Sequence, residues 1–306
     1  MTIYYNDILL FVYCIYVPPL TLLYIVEFYL VLRHYRTFNT SFYRLFAIGA
    51  VSDILLSLCI IMYRVSFSPI TTDLMFVIKS DAINEMWFAG PFFFTISEEI
   101  LNVSVALNRM SAIMMPFQHE KIWKYLVPVV GVAMFGVPST YVWILLISPF
   151  YITGLPYNGY IMQRANVDSS AYPWFNRNTI LLAVEVIFPI TSAVIYTING
   201  WMIRRRMVSN ADKRLFYFGV LLVILNIPLS VCEVLLAYCK DQDVLINVLI
   251  QLPWAFDMKM FAPPILLLAF SGEMRKQLRA FIGCSFGGLW KKEQSSVQRL
   301  VTVTLT

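Results

Sequence analysis

Residues 125–148 read YLVPVVGVAMFGVPSTYVWILLIS, a stretch without one charged side chain. At 1.5 Å per residue a helix of this length is roughly 36 Å long, more than the ~30 Å hydrocarbon core of a bilayer. A helix that is apolar all round has no face to offer water, so it must sit in lipid or among other helices. Similar blocks lie on both sides of it. Seven are read in all, at 8–32, 42–64, 87–113, 125–148, 178–203, 214–239 and 244–270. The connections between them are mostly short. Barrel strands would appear as alternating segments of about ten residues, and the sequence has none. The expected fold is an all-α integral membrane protein, a seven-transmembrane helix bundle over residues 8–270. Residues 1–7 are expected outside and 271–306 in the cytoplasm.

The composition agrees. Of 306 residues, 59% are hydrophobic and 13% charged, and mean hydropathy is +0.70. A soluble domain averages about 25% charged residues, so this chain cannot cover a globule with charge. The net charge of +5 does not point to nucleic acid, because the basic residues are scattered through several loops without an aromatic-interleaved stripe. Their placement sets orientation instead. Seventeen of the 23 Lys and Arg fall on one side, five on the other, and Lys259 lies inside the seventh block. The richer side holds Arg204, Arg205 and Arg206 and the tail, which puts the C-terminus in the cytoplasm and the N-terminus outside. The first seven residues lack Lys and Arg, and the first block is too long for a signal-peptide core, so it is expected to remain as an anchor.

Five cysteines are present without a CxxC pair, and His34 and His119 lie in short polar loops. No metal site and no cofactor are expected. After the seventh block, residues 271–290 read SGEMRKQLRAFIGCSFGGLW. Met274, Leu278, Phe281 and Ile282 share one helical face and Arg275, Lys276 and Arg279 another, which fits a short amphipathic helix on the inner leaflet. Cys284 ends it, either unmodified or carrying a palmitoyl group.

Residues 108–116, NRMSAIMMP, close the third block. They resemble the rhodopsin-like receptor pattern of acid, arginine and aromatic residue at the inner end of the third helix. Asn108 stands for the acid and Met110 for the aromatic; Arg109, Ala112, Ile113 and Pro116 keep the spacing. AVSDILL (50–56) is similar to the same group's second-helix aspartate motif. A resemblance over nearly the whole chain is carried by SFYRLF (41–46), Asp53, NRMSAIMMP with HEKIWKYLVP (119–128), LPYNGY (155–160) and YPW (172–174). In this order and spacing they resemble the serpentine receptor class gamma family of nematode chemosensory receptors, with the related class V family close behind. The resemblance implies a rhodopsin-like bundle at the plasma membrane, an unknown small-molecule ligand and a heterotrimeric G protein as partner. Arg109, Asn108, Pro116, Arg204, Arg205 and Arg206 would then form the switch and G-protein contact. The alternative for Arg109 is an ordinary anchor whose stem lies in the apolar edge while its head reaches water. The chain departs from the wider receptor pattern in three places. No cysteine tops the third span, NIP (226–228) lacks a preceding tryptophan, and APPILL (262–267) stands where Asn-Pro-x-x-Tyr would be.

Glu27, Asp53, Glu98, Glu99, Glu185, Glu233, Asp257 and Lys259 lie within the blocks. An ionised side chain facing lipid costs about 2.5–3.5 kcal/mol or more, so these groups must turn inward, pair or hold a proton. Counted from the inner helix ends, Asp53, Glu98 and Lys259 all stand roughly 16–18 Å up. A buried ionic cluster of the three is expected, with Lys259 where related receptors hold a sodium ion; separate partners at equal depth are the alternative. Glu99 points about 100° from Glu98 and is expected to serve another contact. Phe93, Phe94, Trp143, Glu185, Glu233 and Trp254 are candidates for a small-ligand pocket near the outer mouth. They could equally be interfacial belt and packing. A ligand-gated receptor is the leading expectation. A small-solute or ion transporter is the alternative, supported by the acid-rich interior and the Pro18-Pro19 and Pro263-Pro264 pairs. No catalytic motif appears, and an enzyme is not expected.

Overall fold

The computed structural model describes residues 5–66, 81–154, 161–165, 167–168, 170–205 and 209–283. Its long helices are α1 (Tyr5–Arg33), α2 (Ser41–Ser66), α3 (Asp81–Met114), α4 (Pro116–Ile147), α5 (Arg177–Arg205), α6 (Asn210–Tyr238) and α7 (Gln242–Phe270). A further helix, α8, occupies 272–283. Six of them, α1, α2, α4, α5, α6 and α7, are long and apolar enough to cross a membrane. α3 falls short on composition because Glu98 and Glu99 interrupt its apolar run. Its position explains why that is tolerated. α3 packs against α2, α4, α5 and α6, so its polar groups meet other helices and not lipid. The bundle closes through α1 against α2 and α7, α2 against α7, and α5 through α6 to α7. Exposed large side chains such as Phe11, Leu22, Val129, Val132, Ile187 and Ile190 cover the outside, as they should where the solvent is lipid.

Local signals set the helix ends. Ser209 caps α6 by accepting from the Asp212 amide, and Asp241 caps α7 by accepting from the Asp243 and Val244 amides. Pro116 occupies the first turn of α4, where its missing N–H costs nothing. The start of α2 is capped from another helix: Glu120 of α4 accepts from the Ser41 amide at 3.1 and 3.2 Å and from the Ser41 hydroxyl at 3.0 Å. Prolines inside α1, α3, α4, α5, α6 and α7 are tolerated because neighbouring helices can supply the lost hydrogen bonds.

Two apolar clusters stack along the bundle. One gathers Tyr24, Leu30, Phe42, Leu45, Trp123, Phe218, Leu267 and Met274, with Leu278 and Phe281 of α8 against it. Arg275 fastens α8 to the end of α7 by donating to the Leu268 and Ala269 carbonyls at 2.5 and 2.6 Å. The other cluster, toward the opposite end, includes Tyr13, Leu56, Leu229 and Phe256. α5 and α6 approach closely at Gly219: a Cβ there would lie 1.9 Å from the Tyr196 hydroxyl, so only glycine admits the buried ring. Small residues of this kind are how membrane helices come together.

The connection after α4 adds an element that an all-helical reading does not contain. β1 (Phe150–Gly154) pairs antiparallel with β2 (Ile161–Ala165), in register from Phe150 opposite Ala165 to Gly154 opposite Ile161. The FYIT run has strand-forming side chains. The LPYNGY stretch between the strands lies outside the described residues, as do Arg206 and Cys284. Beyond the hairpin Asp168 accepts from the Ser170 amide at 2.8 Å and hydroxyl at 2.6 Å. These bonds hold its carboxyl below the usual carboxylate range.

Candidate functional site

Three polar constellations lie inside the bundle. The central one is built on Lys259 of α7. Its ammonium lies 2.6 Å from Glu99 and 3.6 Å from Glu98, both on α3, and 3.1 Å from Glu185 on α5. All four side chains are buried. Asn226 of α6 donates to Glu99 at 2.8 Å, so four helices meet here. Asp53 of α2 is bonded to the Tyr24 hydroxyl of α1. Lys259 thus contacts Glu98, and Asp53, besides Tyr24, lies within side-chain hydrogen-bonding reach of Glu98 and joins the group through it. Glu99 points toward α6, yet Lys259 reaches it as well, because the long ammonium arm enters between the two adjacent glutamates. Glu185 was expected near the outer mouth. Depth counted from the inner end of its span puts it there, but α5 runs about two turns past the level of Arg109: Ala106 of α3 packs with Ile195 and Tyr196. Measured from there, Glu185 stands level with Glu98 and Glu99.

The second constellation joins α1, α2 and α7. Arg64 forms a buried ion pair with Asp257, and the Tyr16 hydroxyl is bonded to the same carboxylate. The guanidinium lies 4.4 Å from the Tyr13 ring centroid. Trp254 stacks on Tyr16, centroids 5.5 Å apart with the planes 19° off parallel, and approaches Tyr13 at 4.8 Å. Sequence reasoning missed this site because Arg64 stands at a span end and reads as a loop charge. The signal available was Asp257, two residues from Lys259 and hence turned about 200° from it. A buried acid facing away from Lys259 needs another partner.

The third constellation surrounds NRMSAIMMP. Arg109 is only 6% exposed. It donates to the Asn108 side-chain oxygen, and its guanidinium lies 4.8 Å from the Phe42 ring centroid. The head is therefore enclosed, and does not reach water as a snorkelling anchor would. Asn108 donates to the Ser41 hydroxyl at 2.8 Å. His119 lies between the Ser41 and Ser111 hydroxyls at 3.0 Å from each, and Trp123 donates to Ser111 at 2.6 Å. A neutral imidazole gives one donor and one acceptor, which satisfies both hydroxyls. α2, α3 and α4 are tied together at this end by side chains of SFYRLF, NRMSAIMMP and HEKIW. Asn108→Ala should leave the Arg109 head without that acceptor and the Ser41 hydroxyl without that donor. It is expected to destabilise the protein by about 1–3 kcal/mol, read as a lowered unfolding temperature of the purified protein in nanodiscs.

The remaining candidates are dispersed. Pro116 starts α4, Arg204 is exposed, and Arg205 lies 4.0 Å from the Trp201 ring centroid. Phe93 faces Phe94 at 5.2 Å and Phe135 at 6.2 Å. Phe94 and Trp254 pack against the same apolar cluster. Trp143 is half-exposed and stands edge-on to Tyr172. Glu233 is buried on α6. These residues do not converge as Lys259 and its partners do. The four described cysteines, Cys14, Cys59, Cys232 and Cys239, are free, and among the described residues no group of three or more His, Cys, Asp or Glu is placed to hold a metal ion.

Residues 10–278 match the family model described as Srg family chemoreceptor. The chain is 24% identical over 230 residues to serpentine receptor class gamma-15 of Caenorhabditis elegans, covering 72% of this chain and 69% of that one. It is 21% identical over 259 residues to serpentine receptor class gamma-10 of the same organism, covering 78% and 75%. With serpentine receptor class gamma-16, also from C. elegans, identity is 23% over 241 residues, covering 74% and 71%.

Proposed function

The chain belongs to the Srg family of chemoreceptors, and on that premise we propose that it carries a chemical signal across the plasma membrane to a heterotrimeric G protein. Its N-terminus lies outside and its C-terminus in the cytoplasm, as the excess of Lys and Arg on the side of Arg109, Arg204 and the tail supports. The cytoplasmic switch comprises Asn108, Arg109, Pro116 and the basic end of α5, Arg204 to Arg206. α8 rests on the inner leaflet with Met274 docked in the bundle. Residues 1–7 and 271–306 are the parts outside the membrane domain.

The observation that carries this reading is the Lys259 network. One ammonium holds groups on α3 and α5, and Asn226 brings in α6. A ligand among the outer halves of these helices cannot shift one of them without re-pairing a buried charge. Such a group has few discrete arrangements, which is what a two-state element needs. Below it, Tyr196 of α5 fits against Gly219 of α6, and beyond them Arg109 is held by Asn108. Parting of the inner ends of α5 and α6 frees Arg109 for a partner. The ligand acts by binding one arrangement more tightly than the other.

The test is to express the chain with Gα subunits and apply a panel of volatile and water-soluble small molecules. Dose-dependent nucleotide exchange supports the reading. Uptake or conductance by the protein alone in vesicles, with no exchange, would replace it with transport. A tag at Thr306 accessible from outside intact cells would overturn the orientation.

A further inference from the structure

The Arg204 end of α5 and the Lys213 end of α6 frame an opening of about 1320 Å³. Every residue that lines it belongs to one of these two helices, from Ala193 to Arg204 on α5 and from Lys213 to Ile224 on α6. Either stretch rises through eleven residue steps, roughly 16 Å, which is about half of the ~30 Å hydrocarbon core. The opening is therefore one leaflet deep. It also faces lipid. Asn199 of α5 turns inward and donates to the Ala106 carbonyl of α3 at 3.5 Å. Trp201, two residues on and about 200° round the helix, turns outward. Thr197, Trp201, Tyr217 and Ile224 of the lining are all exposed.

Polarity changes along the opening in one direction. Among the described residues its charged lining is Arg204 and Lys213, both exposed and both at the same end. Segment 204–214 holds five basic residues and one acid, and that acid, Asp212, accepts from the Ser209 hydroxyl at 2.6 Å. About one turn further in stand Trp201 and Tyr217, side chains of the kind that settle at the headgroup level. Beyond them the walls are Ala193, Val220, Val223 and Ile224, and the Thr197 hydroxyl is engaged by the Ala193 carbonyl at 2.8 Å. Cation, aromatic belt and hydrocarbon follow one another as the parts of a lipid do.

We infer that this opening is a binding site for an anionic glycerophospholipid, with its phosphate at Arg204 and Lys213 and an acyl chain along Val220, Val223 and Ile224. Charge complementarity selects the headgroup. A zwitterionic lipid would bring its own cation against the two basic side chains. A soluble anion would use the cationic end and leave the apolar walls uncovered. The volume also exceeds the roughly 300–1,000 Å³ of an ordinary small-ligand pocket. Anionic lipids concentrate in the cytoplasmic leaflet, so the choice of leaflet rests on the orientation proposed above, whereas the site stands on its own geometry. A lipid seated here lies between the two helix ends whose parting the receptor reading requires.

The test uses the full-length protein, one copy per phosphatidylcholine nanodisc, and phosphatidylserine carrying a diazirine in one acyl chain, with labelled peptides identified by mass spectrometry. The expected result is saturable labelling confined to 193–204 and 213–224, competed by plain phosphatidylserine. Phosphatidylcholine with the same diazirine should label all lipid-facing helices alike. Arg204→Gln with Lys213→Gln, at two exposed positions, should raise half-saturation tenfold or more. Ile224→Trp, which fills the apolar part and keeps both cations, should do the same, so the result does not depend on one variant folding. Lys121→Gln with Lys124→Gln removes equal charge from exposed positions on α4 and should change nothing, which separates the site from general attraction to a basic face. Even labelling by the serine probe, an equal loss in the Lys121 and Lys124 variant, or competition by inorganic phosphate as strong as by phosphatidylserine would overturn the site. Exclusion of the probe from both segments whenever two copies share a nanodisc would give the seam to a second chain and overturn it too. The nanodisc offers the same lipid on both faces, so this result is independent of orientation, which the Thr306 tag tests separately.

Discussion

Lys259→Met is expected to remove most of the folded protein from the membrane. In the wild type one ammonium is shared by Glu98, Glu99 and Glu185, all buried. Methionine fills a similar volume but leaves three acids facing one another without a cation. Breaking a buried ion pair by removing one partner costs about 3–5 kcal/mol. Whole-domain stability is only about 5–15 kcal/mol, so this is a large share. The observable is surface level in cells together with monodisperse recovery of the detergent-extracted protein, each expected to fall several-fold. Lys259→Arg keeps the charge and should fall less. Lys259→Met combined with Glu98→Gln, Glu99→Gln and Glu185→Gln should recover much of the loss, because the uncompensated charge is gone. Such non-additivity marks groups in one network. A Lys259→Met protein as abundant and as heat-resistant as wild type would mean that these contacts hold nothing together.

The second large effect is expected at Arg64. Arg64→Leu leaves Asp257 buried with only Tyr16 beside it and strips the cation from the Tyr13 face. A loss of about 3–5 kcal/mol follows by the same reasoning, and Arg64→Leu with Asp257→Leu should be milder than Arg64→Leu alone. The two networks make α7 distinctive. Asp257 faces α1 and α2, whereas Lys259, two residues on, faces α3 and α5. α7 is therefore held by charge from both sides, and a break on either side loosens the other helices' grip on it. Thermal unfolding of the single and double variants in nanodiscs decides the matter. Additive losses would show that Arg64 and Asp257 contribute separately.

Much of the architecture was legible in the sequence for a simple reason. Lipid demands long apolar helices, and YLVPVVGVAMFGVPSTYVWILLIS has no other way to be buried. The side chains were less legible because depth along a helix must be counted from an end, and ends do not share a plane. α5 extends about two turns past the level of Arg109, so a count from its end sets Glu185 too high and hides its place beside Lys259. Arg64, at the end of its span, reads as a loop charge in the sequence although its side chain reaches back into the bundle. Enclosure of Arg109 depends on Asn108, Ser41 and Phe42 arriving from two helices, and the linear pattern shows spacing without contact. The hairpin after α4 rests on pairing between Phe150–Gly154 and Ile161–Ala165, which short segments of this kind signal weakly.

The measurement that bears most directly on signal transfer is nucleotide exchange on co-expressed Gα subunits, in cells carrying wild type or Arg109→Ala, with an activating compound from the small-molecule panel. The expected result is dose-dependent exchange in wild type and its loss in Arg109→Ala at equal surface level. Exchange kept in full by Arg109→Ala would contradict the switch and reduce the enclosed guanidinium to a structural tie between α3 and α2.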